Sequence, residues 1–466
     1  MKKFNMFIFI NKSFCLMILC ILIQQSILAS STLWIAKLSQ AVVLKQDLSL
    51  WLVLFILSLS LIYIPGPGAV YFQSKAAFSS FRKYVDIFTI SFRERAQLRT
   101  NIEFKQERQP YLNNEAWLVI NEFIGFTINV FSTLFNIVFN IGILGFIIDK
   151  KLMLAYAITI PLIAISVKSL KTLVTSSAKQ AQEDRTAMMQ SLLPAWDSIL
   201  VGNQLNIQLW KNYFIDKHKN ANQSALKYVL FSELTTITSM FLVLFPVIGT
   251  WVWLIYQNIG NEVFLTMLIA TFPRQIITIF HVTAIVAYVS RWNSLKTRLE
   301  GLKSALIITE PIHAGTISWN RIKAEKDNTI INIDSINSIQ DITQDYSPGR
   351  ITLRGDNGTG KSSLLALIKE QLSEKAFLLP PHSDMFFEFS FHKNLSTGEK
   401  IIESLDEIKR SKLQLLLLDE WDANLDKNHI VNISEKLNEL AKEICIIEVR
   451  HRLDIGVQSQ MGNYKF

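Results

Sequence analysis

Six long apolar segments before about residue 300 limit what this chain can fold into more than any other feature. They lie near residues 13–37, 47–70, 116–148, 152–169, 228–257 and 263–290. A helix needs roughly 20 apolar residues to cross the hydrocarbon core of a bilayer. The sequence therefore predicts six membrane-spanning helices, and the third is long enough to tilt or to extend beyond the membrane.

The composition separates the chain into two parts. Half of its 466 residues are hydrophobic and only 18% are charged, and the charged residues are sparse before about residue 300 and dense after it. This composition is too apolar for an ordinary soluble protein and too charged for a purely membrane-embedded one. We therefore predict a transmembrane domain over residues 1–300 and a soluble domain over residues 301–466.

Lysine and arginine residues indicate how the helices are oriented. They cluster at the N-terminus, in 71–115, in 170–227 and after the sixth segment, whereas the opposite loops are short. Because basic residues favour the cytoplasmic side of a membrane, this distribution predicts a cytoplasmic C-terminal domain. It also accounts for the net charge of +8, so we expect no nucleic-acid partner. The two long basic stretches are predicted to be helical extensions that are either solvated or in contact with the soluble domain.

The first apolar segment has two interpretations. Its basic start, apolar core and Ala29 followed by Ser30 and Ser31 would suit a cleaved secretory signal. However, the apolar stretch resumes at 33–35, and an even number of spans returns the C-terminal domain to the cytoplasm. We therefore favour an uncleaved helix.

After the sixth apolar segment the pattern changes to short strands that alternate with helices. Residues 329–333 and 351–353 are typical of strands, and 364–372 is typical of a helix. Continuous apolar runs at 415–418 and 444–449 fit strands that are buried on both faces. This alternation predicts an α/β domain around a largely parallel sheet.

The most specific motif in the chain follows the strand at 351–353 and opens the next helix. It consists of Gly355, Asp356, Asn357, Gly358, Thr359, Gly360, Lys361 and Ser362. It matches the phosphate-loop pattern G-x-x-x-x-G-K-[ST] completely. Glycines let the backbone wrap closely around a phosphate, and N–H groups at a helix N-terminus attract the anion. Lys361 would neutralise the terminal phosphates and Ser362 would ligate Mg²⁺, and we assign Ser363 to the same nucleotide site.

Two acidic residues, Asp419 and Glu420, end the apolar run at 415–418. Carboxylates that follow a buried strand lie at the edge where ligands bind in open α/β sheets. Asp419 would hold Mg²⁺ directly or through water, and Glu420 would polarise the attacking water. The alternative is a strand end with two solvated acids, which the nearby phosphate loop makes the weaker interpretation.

The order of the remaining motifs resembles that of the ATP-binding cassette family. Residues 395–400 resemble the family signature L-S-G-G-Q, with Ser396 and Gly398 matching and two positions departing. Asp426 matches the aspartate of the family's D-loop, and His451 matches its switch histidine. With six spans before the cassette, the chain resembles an exporter-type half-transporter of this family.

The resemblance implies a six-span α-helical transmembrane domain followed by an α/β P-loop NTPase domain. In this family two cassettes bind ATP and Mg²⁺ between the phosphate loop of one and the signature of the other. Ser396, Gly398 and Asp426 would then contact nucleotide, and Glu420 and His451 would be catalytic. The single set of motifs implies a second half-transporter chain, either in a homodimer, which we favour, or in a heterodimer.

The function that the resemblance implies is ATP-driven export of an unidentified solute through a lipid membrane. The layout and the Lys-, Asn- and Ile-rich composition favour a bacterial inner membrane, and an organellar membrane is the alternative. Only 34 residues lie between Lys361 and Ser396, which implies a reduced helical subdomain. Pro381 and His382 stand where the family has its Q-loop glutamine, and Trp319 and Tyr346 are the nearest aromatics to the adenine-stacking position.

These departures motivate an alternative function. The chain would then be an ATP-binding membrane protein with weak or no pumping, acting as a regulatory or heterodimer subunit. Within the membrane part, Glu122, Arg274 and His281 lie in or near apolar segments, where an ionisable residue suggests function. Arg274 is the favoured candidate for substrate contact, and the alternative is that these residues lie near the interface or pair with one another.

Overall fold

The apolar segments form helices throughout. The computed structural model describes residues 8–307, 317–327, 329–381, 385–391, 395–411, 413–423 and 425–450. Among these residues, six helical segments are long and apolar enough to cross a membrane: Lys12–Val43, Ser49–Phe92, Arg108–Ile147, Lys150–Leu170, Gln204–Gln257 and Glu262–Val289. The prediction of six such helices is confirmed.

The chain divides into two units. The first contains the chain up to Val85 together with Asn114–Ser304, and the second contains Asp86–Asn113 together with the chain from Ala305. The helices before residue 305 are, in chain order, α1 (Lys12–Val43), α2 (Ser49–Leu61), α3 (Pro65–Phe92), α4 (Ile102–Pro110), α5 (Ala116–Ile147), α6 (Lys150–Gln190), α7 (Ala195–Leu200), α8 (Gln204–Gln257) and α9 (Glu262–Ser304).

Side-chain caps set where several of these helices begin. The side chain of Asn11 accepts a hydrogen bond from the N–H of Phe14 at 2.9 Å where α1 starts. Asn203 accepts one from the N–H of Asn206 at 3.1 Å where α8 starts. These caps satisfy N–H groups that have no partner in the first helical turn. The second apolar segment is interrupted just before Pro65, because proline disfavours helical geometry in the residue that precedes it.

A ladder of hydrogen-bonded polar side chains joins α1 to α5. The amide of Gln25 donates to the hydroxyl of Ser132 at 3.0 Å and accepts from the amide of Asn136 at 2.9 Å. The amide of Asn140 donates to Asn136 at 3.2 Å and accepts from the hydroxyl of Thr32 at 3.1 Å. Hydrogen bonds between polar side chains hold helices together where lipid supplies no hydrophobic drive for association. The ladder therefore fixes the pairing of these two spans.

Two of the ionisable residues predicted in the apolar segments, Glu122 and Arg274, have partners on neighbouring helices. Glu122 of α5 forms an ion pair with Arg298 of α9. Arg274, which follows Pro273 inside α9, donates to the hydroxyl of Ser31 on α1 at 2.9 Å. The structure therefore gives Glu122 a partner of opposite charge and Arg274 a polar one. A role for Arg274 in substrate contact stays a prediction.

The second unit contains an α/β arrangement. Its elements from residue 323 are β1 (Lys323–Lys326), β2 (Thr329–Asn332), α10 (Ile336–Ile342), β3 (Gly349–Arg354), α11 (Lys361–Leu372), β4 (Ala376–Leu379), α12 (Thr397–Lys409), β5 (Leu415–Asp419), α13 (Lys427–Leu440) and β6 (Cys445–Val449). The six strands form one sheet in the order β2-β1-β3-β6-β5-β4. The neighbouring strands β3, β6, β5 and β4 are parallel, and β1 pairs antiparallel with both β2 and β3. The sheet is therefore mixed, with a parallel majority.

Apolar clusters cover both faces of this sheet. All five residues of β5 and all five of β6 are buried, as the continuous apolar runs predicted. On one face Leu415 and Leu417 pack with residues of α11, and on the other Leu416 and Leu418 pack with residues of α12 and α13. Alternate side chains of a strand point to opposite faces, so a strand in the middle of such a sheet must be apolar throughout.

The stretch between β4 and α12 is short. Its described residues contain one 3-10 turn, Glu388–Phe391, and no longer helix. The amides of Glu388 and Phe389 donate to the carboxylate of Glu407 on α12 at 2.9 and 3.0 Å. This part of the chain is thus tied to α12 by backbone contacts.

Residues 86–113 belong to the second unit although they lie between two apolar segments in sequence. The 3-10 turn Ala96–Thr100 packs against α11, and Leu98 is buried. Two ion pairs add to this contact: Arg93 with Glu374, and Arg95 with Glu370 at 3.3 Å. These contacts agree with the interpretation of this basic stretch as one that touches the soluble domain.

We expect Asn140→Ala to lower the stability of the helical unit. The substitution removes the partner of Thr32 and one partner of Asn136, and a hydrogen bond of this kind contributes about 1 kcal/mol in membrane proteins. The measurement is the thermal unfolding midpoint of the full chain in lipid nanodiscs. Asn129→Ala, on an exposed position of the same helix, is the control. Equal midpoints for the two variants would contradict the ladder as a source of stability.

Candidate functional site

The loop between β3 and α11 has the backbone geometry that a phosphate loop requires. Gly358 and Gly360 have φ angles of +79° and +91°, a region in which residues with a Cβ are disfavoured. A Cβ on Gly355 would lie 2.7 Å from the carbonyl oxygen of Arg321. The backbone turn therefore favours glycine at 358 and 360, and the close approach of the Arg321 backbone favours glycine at 355. The loop leads directly into α11, whose N-terminus has no side-chain cap, so its N–H groups face the loop that would hold an anion.

Polar contacts within the loop hold its shape. The ammonium of Lys361 donates to the carbonyl oxygens of Gly355 and Asp356, each at 2.9 Å. Thr359 is buried and donates to the carbonyl of Asp356 at 2.8 Å, whereas Asn357 is exposed at the tip of the loop. The carboxylate of Asp356 pairs with Arg321 at 2.9 Å. These contacts place the charge of Lys361 across the mouth of the loop.

The phosphate loop and the acidic strand meet at Ser362. Its hydroxyl donates to Oδ1 of Asp419 at 2.9 Å, and both residues lie at the carboxyl edge of the parallel strands. A hydroxyl and a carboxylate oxygen are ligands that Mg²⁺ accepts in nucleotide sites. No group of three or more His, Cys, Asp or Glu in the described chain could hold a metal. The chemistry of this pair fits two ligand positions of a Mg²⁺ ion.

The environment of Asp419 favours its protonated form. Burial raises the pKa of its carboxyl above the ordinary aspartate value, and the charge of Glu420 adds to the rise. The hydrogen bond from Ser362 and the charges of Arg99 and Lys361 oppose it. A bound cation would remove the cost of the buried negative charge, so this carboxylate is suited to metal binding.

Glu420 has a strained backbone. Its φ of +44° lies in the left-handed region, where a non-glycine residue costs about 1–3 kcal/mol unless the surroundings hold it there. Its N–H donates to the carbonyl of Val449 on β6 at 2.9 Å, and its own carbonyl accepts from the N–H of Ala423 at 3.0 Å. The chain therefore turns sharply just after β5, and these two backbone hydrogen bonds hold residue 420 in the turn.

A buried cluster beside this turn was not predicted from the sequence. Trp421 is 2% exposed, and its indole N–H donates to the carboxylate of Glu448 at 2.8 Å. Glu448 also accepts from Arg350 at 3.0 and 2.9 Å and from the hydroxyl of Thr352 at 3.1 Å. We call these four residues the Glu448 cluster. The glutamate within an apolar strand was the one sequence signal that could have pointed to it.

The signature-like residues lie at the N-terminus of α12. Ser396 and Glu399 form a capping box: the hydroxyl of Ser396 accepts from the backbone N–H of Glu399, and the carboxylate of Glu399 accepts from the backbone N–H of Ser396. Ser396 is exposed. Gly398 is buried, and a Cβ there would lie 2.4 Å from the ring of His429 on α13. The close packing of His429 thus requires glycine at position 398. This requirement would hold whether or not the residue contacts a nucleotide.

Asp426 acts as the cap of α13. Its carboxylate accepts from the backbone N–H of His429 at 2.8 Å and lies 2.8 Å from the Nδ1 atom of the same residue. These hydrogen bonds lower the pKa of Asp426 below the ordinary value, with the backbone contact as the largest cause. His429 therefore connects the D-loop-like aspartate to the signature-like glycine, a role that was not predicted because it depends on how α12 and α13 pack.

The predicted residues thus form two groups. The first, at the carboxyl edge of the sheet, contains the phosphate loop with Lys361 and Ser362, and Asp419 and Glu420 after β5; Ser363 lies in the first turn of α11. The second contains Ser396, Gly398 and Asp426, and His429 packs against Gly398 and bonds to Asp426. His451 and His382 lie outside the described residues.

No protein-family model and no curated protein sequence matches this chain. Its function is therefore inferred from the geometry of the two groups.

A further cation, also not predicted, lies near the first group. Arg99 of the 3-10 turn Ala96–Thr100 is close enough to Asp419 to lower the pKa of that carboxyl. It reaches the site because the turn packs against α11, the helix that carries Ser362. A basic stretch between two apolar segments therefore contributes charge to the candidate site.

Glycine at position 420 is expected to stabilise the fold. Glu420→Gly removes the steric cost of a Cβ at positive φ, which is about 1 kcal/mol, whereas Glu420→Ala retains it. We expect a higher thermal unfolding midpoint for the glycine variant of the full chain than for the alanine variant. Equal midpoints would show that the backbone at position 420 is not strained.

The raised pKa of Asp419 predicts a pH-dependent stability. The folded state holds this proton more tightly than the unfolded chain, so stability is lost as the pH rises from the ordinary aspartate pKa through the raised value. Asp419→Asn removes that loss. Without nucleotide, its unfolding midpoint should exceed that of the wild type at neutral pH and match it below about pH 4. Asp334→Asn, at an exposed position, is the control and should show no such difference.

Proposed function

We propose that this chain binds ATP with Mg²⁺ and hydrolyses it to drive a solute through the membrane. The observation that carries the proposal is the meeting of the phosphate loop with the acidic strand, where Ser362 contacts Asp419 at 2.9 Å. Glycine-rich turns, an uncapped helix N-terminus and a lysine together form a site for phosphates. Solvated acids at a strand end, the weaker interpretation, would not account for a buried Asp419 in contact with this loop.

Each residue of the first group has a chemical role in this proposal. Amides of the loop and Lys361 would bind the phosphates, and Ser362 and Asp419 would hold Mg²⁺. The ion would supply charge that stabilises the phosphoryl group during transfer. Glu420, next to Asp419 on a rigid turn, would orient and polarise the attacking water. Its fixed backbone suits this role because positioning contributes most of the rate in phosphoryl transfer.

The six apolar helices and residues 86–113 support a link to transport. The helices are suited by length and composition to a membrane, and the basic loops favour a cytoplasmic second unit. The layout and the Lys-, Asn- and Ile-rich composition favour a bacterial inner membrane. Residues 86–113 connect two of these helices in sequence and pack on α11 next to the phosphate loop. A change at the nucleotide site would therefore act directly on a segment that leads into the membrane part.

A second chain is part of the proposal, because each chain has one phosphate loop and one signature-like segment. Ser396 is exposed at the N-terminus of α12, a position from which it could bind the nucleotide of a partner. A homodimer is the simplest arrangement, and a heterodimer with a related half-transporter is equally compatible with these residues.

One observation favours the alternative function, an ATP-binding membrane subunit with weak or no pumping. Gly398 is buried beneath His429, so the glycine that should face a partner's phosphate is enclosed within its own chain. The short stretch between β4 and α12 also leaves little structure to respond to nucleotide. Under this alternative, ATP binds but turns over slowly.

ATP hydrolysis by the full chain in lipid nanodiscs tests the proposal. We expect magnesium-dependent turnover in the wild type and a loss of at least about 100-fold in Glu420→Gln, which keeps the size of the side chain but not its charge. Glu435→Gln, at an exposed position of α13, is the matched control and should retain wild-type turnover. Bound ATP without turnover in the wild type would favour the non-pumping alternative, and no ATP binding would overturn both.

A further inference from the structure

The Glu448 cluster is a buried, hydrogen-bonded polar group of the second unit. Glu448 is 1% exposed, and its carboxylate accepts four hydrogen bonds, from Arg350 twice, Thr352 and Trp421. Arg350 in turn donates to Asn438 on α13 at 2.6 Å and to the carbonyl of Ser434 at 3.1 Å. A buried carboxylate whose two oxygens each accept two hydrogen bonds has a defined geometry.

An apolar residue would fill the position of Glu448 at lower cost. Its neighbours along β6 are Ile447 and Val449, and buried ion pairs can often be replaced by apolar residues without loss of stability. The packing of β6 alone therefore gives no reason for a glutamate here. Its hydrogen-bond partners do, because without Glu448 the indole N–H of Trp421 would be buried without an acceptor and Arg350 would lose its ion-pair partner.

Trp421 connects this cluster to the strained turn. It follows Glu420 directly and packs in the apolar cluster on the α13 face of the sheet. β6 contributes a second contact, because the carbonyl of Val449, the neighbour of Glu448, accepts the N–H of Glu420 at 2.9 Å. A strained backbone persists only where its surroundings over-determine it. The turn is held on one side by Ser362 through Asp419 and on the other by Glu448 through Trp421.

We propose that Glu448, fixed by Arg350, positions Glu420 for catalysis by holding the indole N–H of Trp421. Glu448 and Trp421 are positioning residues, since neither contacts the phosphate loop through the bonds described. The inference rests on the proposed ATP hydrolysis and adds two residues that tune its rate. Small displacements of a catalytic group lower the rate steeply, whereas Lys361 and Ser362, which would bind the nucleotide, lie on the phosphate loop and α11 and not on this turn.

Two variants that each remove one hydrogen bond from Glu448 separate positioning from stability. Trp421→Phe keeps an aromatic ring but lacks the N–H, and Thr352→Val keeps the shape of the side chain but lacks the hydroxyl. Both leave Glu448 paired with Arg350. We expect Trp421→Phe to lower kcat for ATP about tenfold with KM within about twofold, the pattern of a lost transition-state contact. Thr352→Val should retain the kcat of the wild type, while both lower the unfolding midpoint.

The measurement is steady-state ATP turnover of the full chain in nanodiscs, scaled to the fraction that binds a fluorescent ATP analogue. Equal kcat values for Trp421→Phe and Thr352→Val would overturn the inference, because the cluster would then serve stability alone. If Trp421→Phe fails to fold, 3-benzothienylalanine at position 421, with sulfur in place of the N–H, provides a closer isostere with the same expected loss. A wild type without turnover would overturn the proposed function, whereas turnover that needs Glu420 but not the indole N–H would overturn only this inference.

Discussion

The hydrogen bond from Ser362 to Asp419 joins two motifs that lie 57 residues apart, and the candidate site exists only because they meet. Their meeting depends on the order of the strands. β3, which leads into the phosphate loop, and β5, which ends in Asp419, both pair in parallel with β6. The carboxyl ends of parallel strands lie at one edge of a sheet, so the loop and the two acids emerge side by side. Apolar clusters on both faces hold this edge together.

Two residues at or next to that contact are in energetically unfavourable states. Asp419 is buried with a raised pKa, and Glu420 adopts a backbone conformation that non-glycine residues rarely have. Both costs are understandable if a cation and a defined carboxylate are needed at this edge. The Glu448 cluster provides the opposing support, since it ties the residue after Glu420 to β6 and α13. A strained turn that carries a buried carboxylate thus lies next to a hydrogen-bonded network that holds it in place.

The helical unit follows a different constraint. Lipid offers no hydrogen bonds, so polar side chains within the spans must satisfy one another, and the ladder from Gln25 to Asn140 does so. In the second unit, the 3-10 turn Ala96–Thr100 packs on α11, and Leu98 within it is buried. Arg93 and Glu374 form an exposed ion pair at the same contact, and solvent screens its attraction.

The sequence by itself determined the six apolar helices, the buried strands β5 and β6, and the phosphate loop, because each is a local pattern of hydropathy or turn residues. It also singled out Asp419 and Glu420, which stand next to a recognisable strand. Only the tertiary structure decided that Gly398 lies beneath His429, that Arg99 approaches Asp419, and that Glu448 holds Trp421. Each of these contacts joins residues from elements distant in sequence, and which side chains meet depends on how strands are ordered and helices pack. Local periodicity specifies which face of an element is buried, but the partner on that face is set by the fold as a whole.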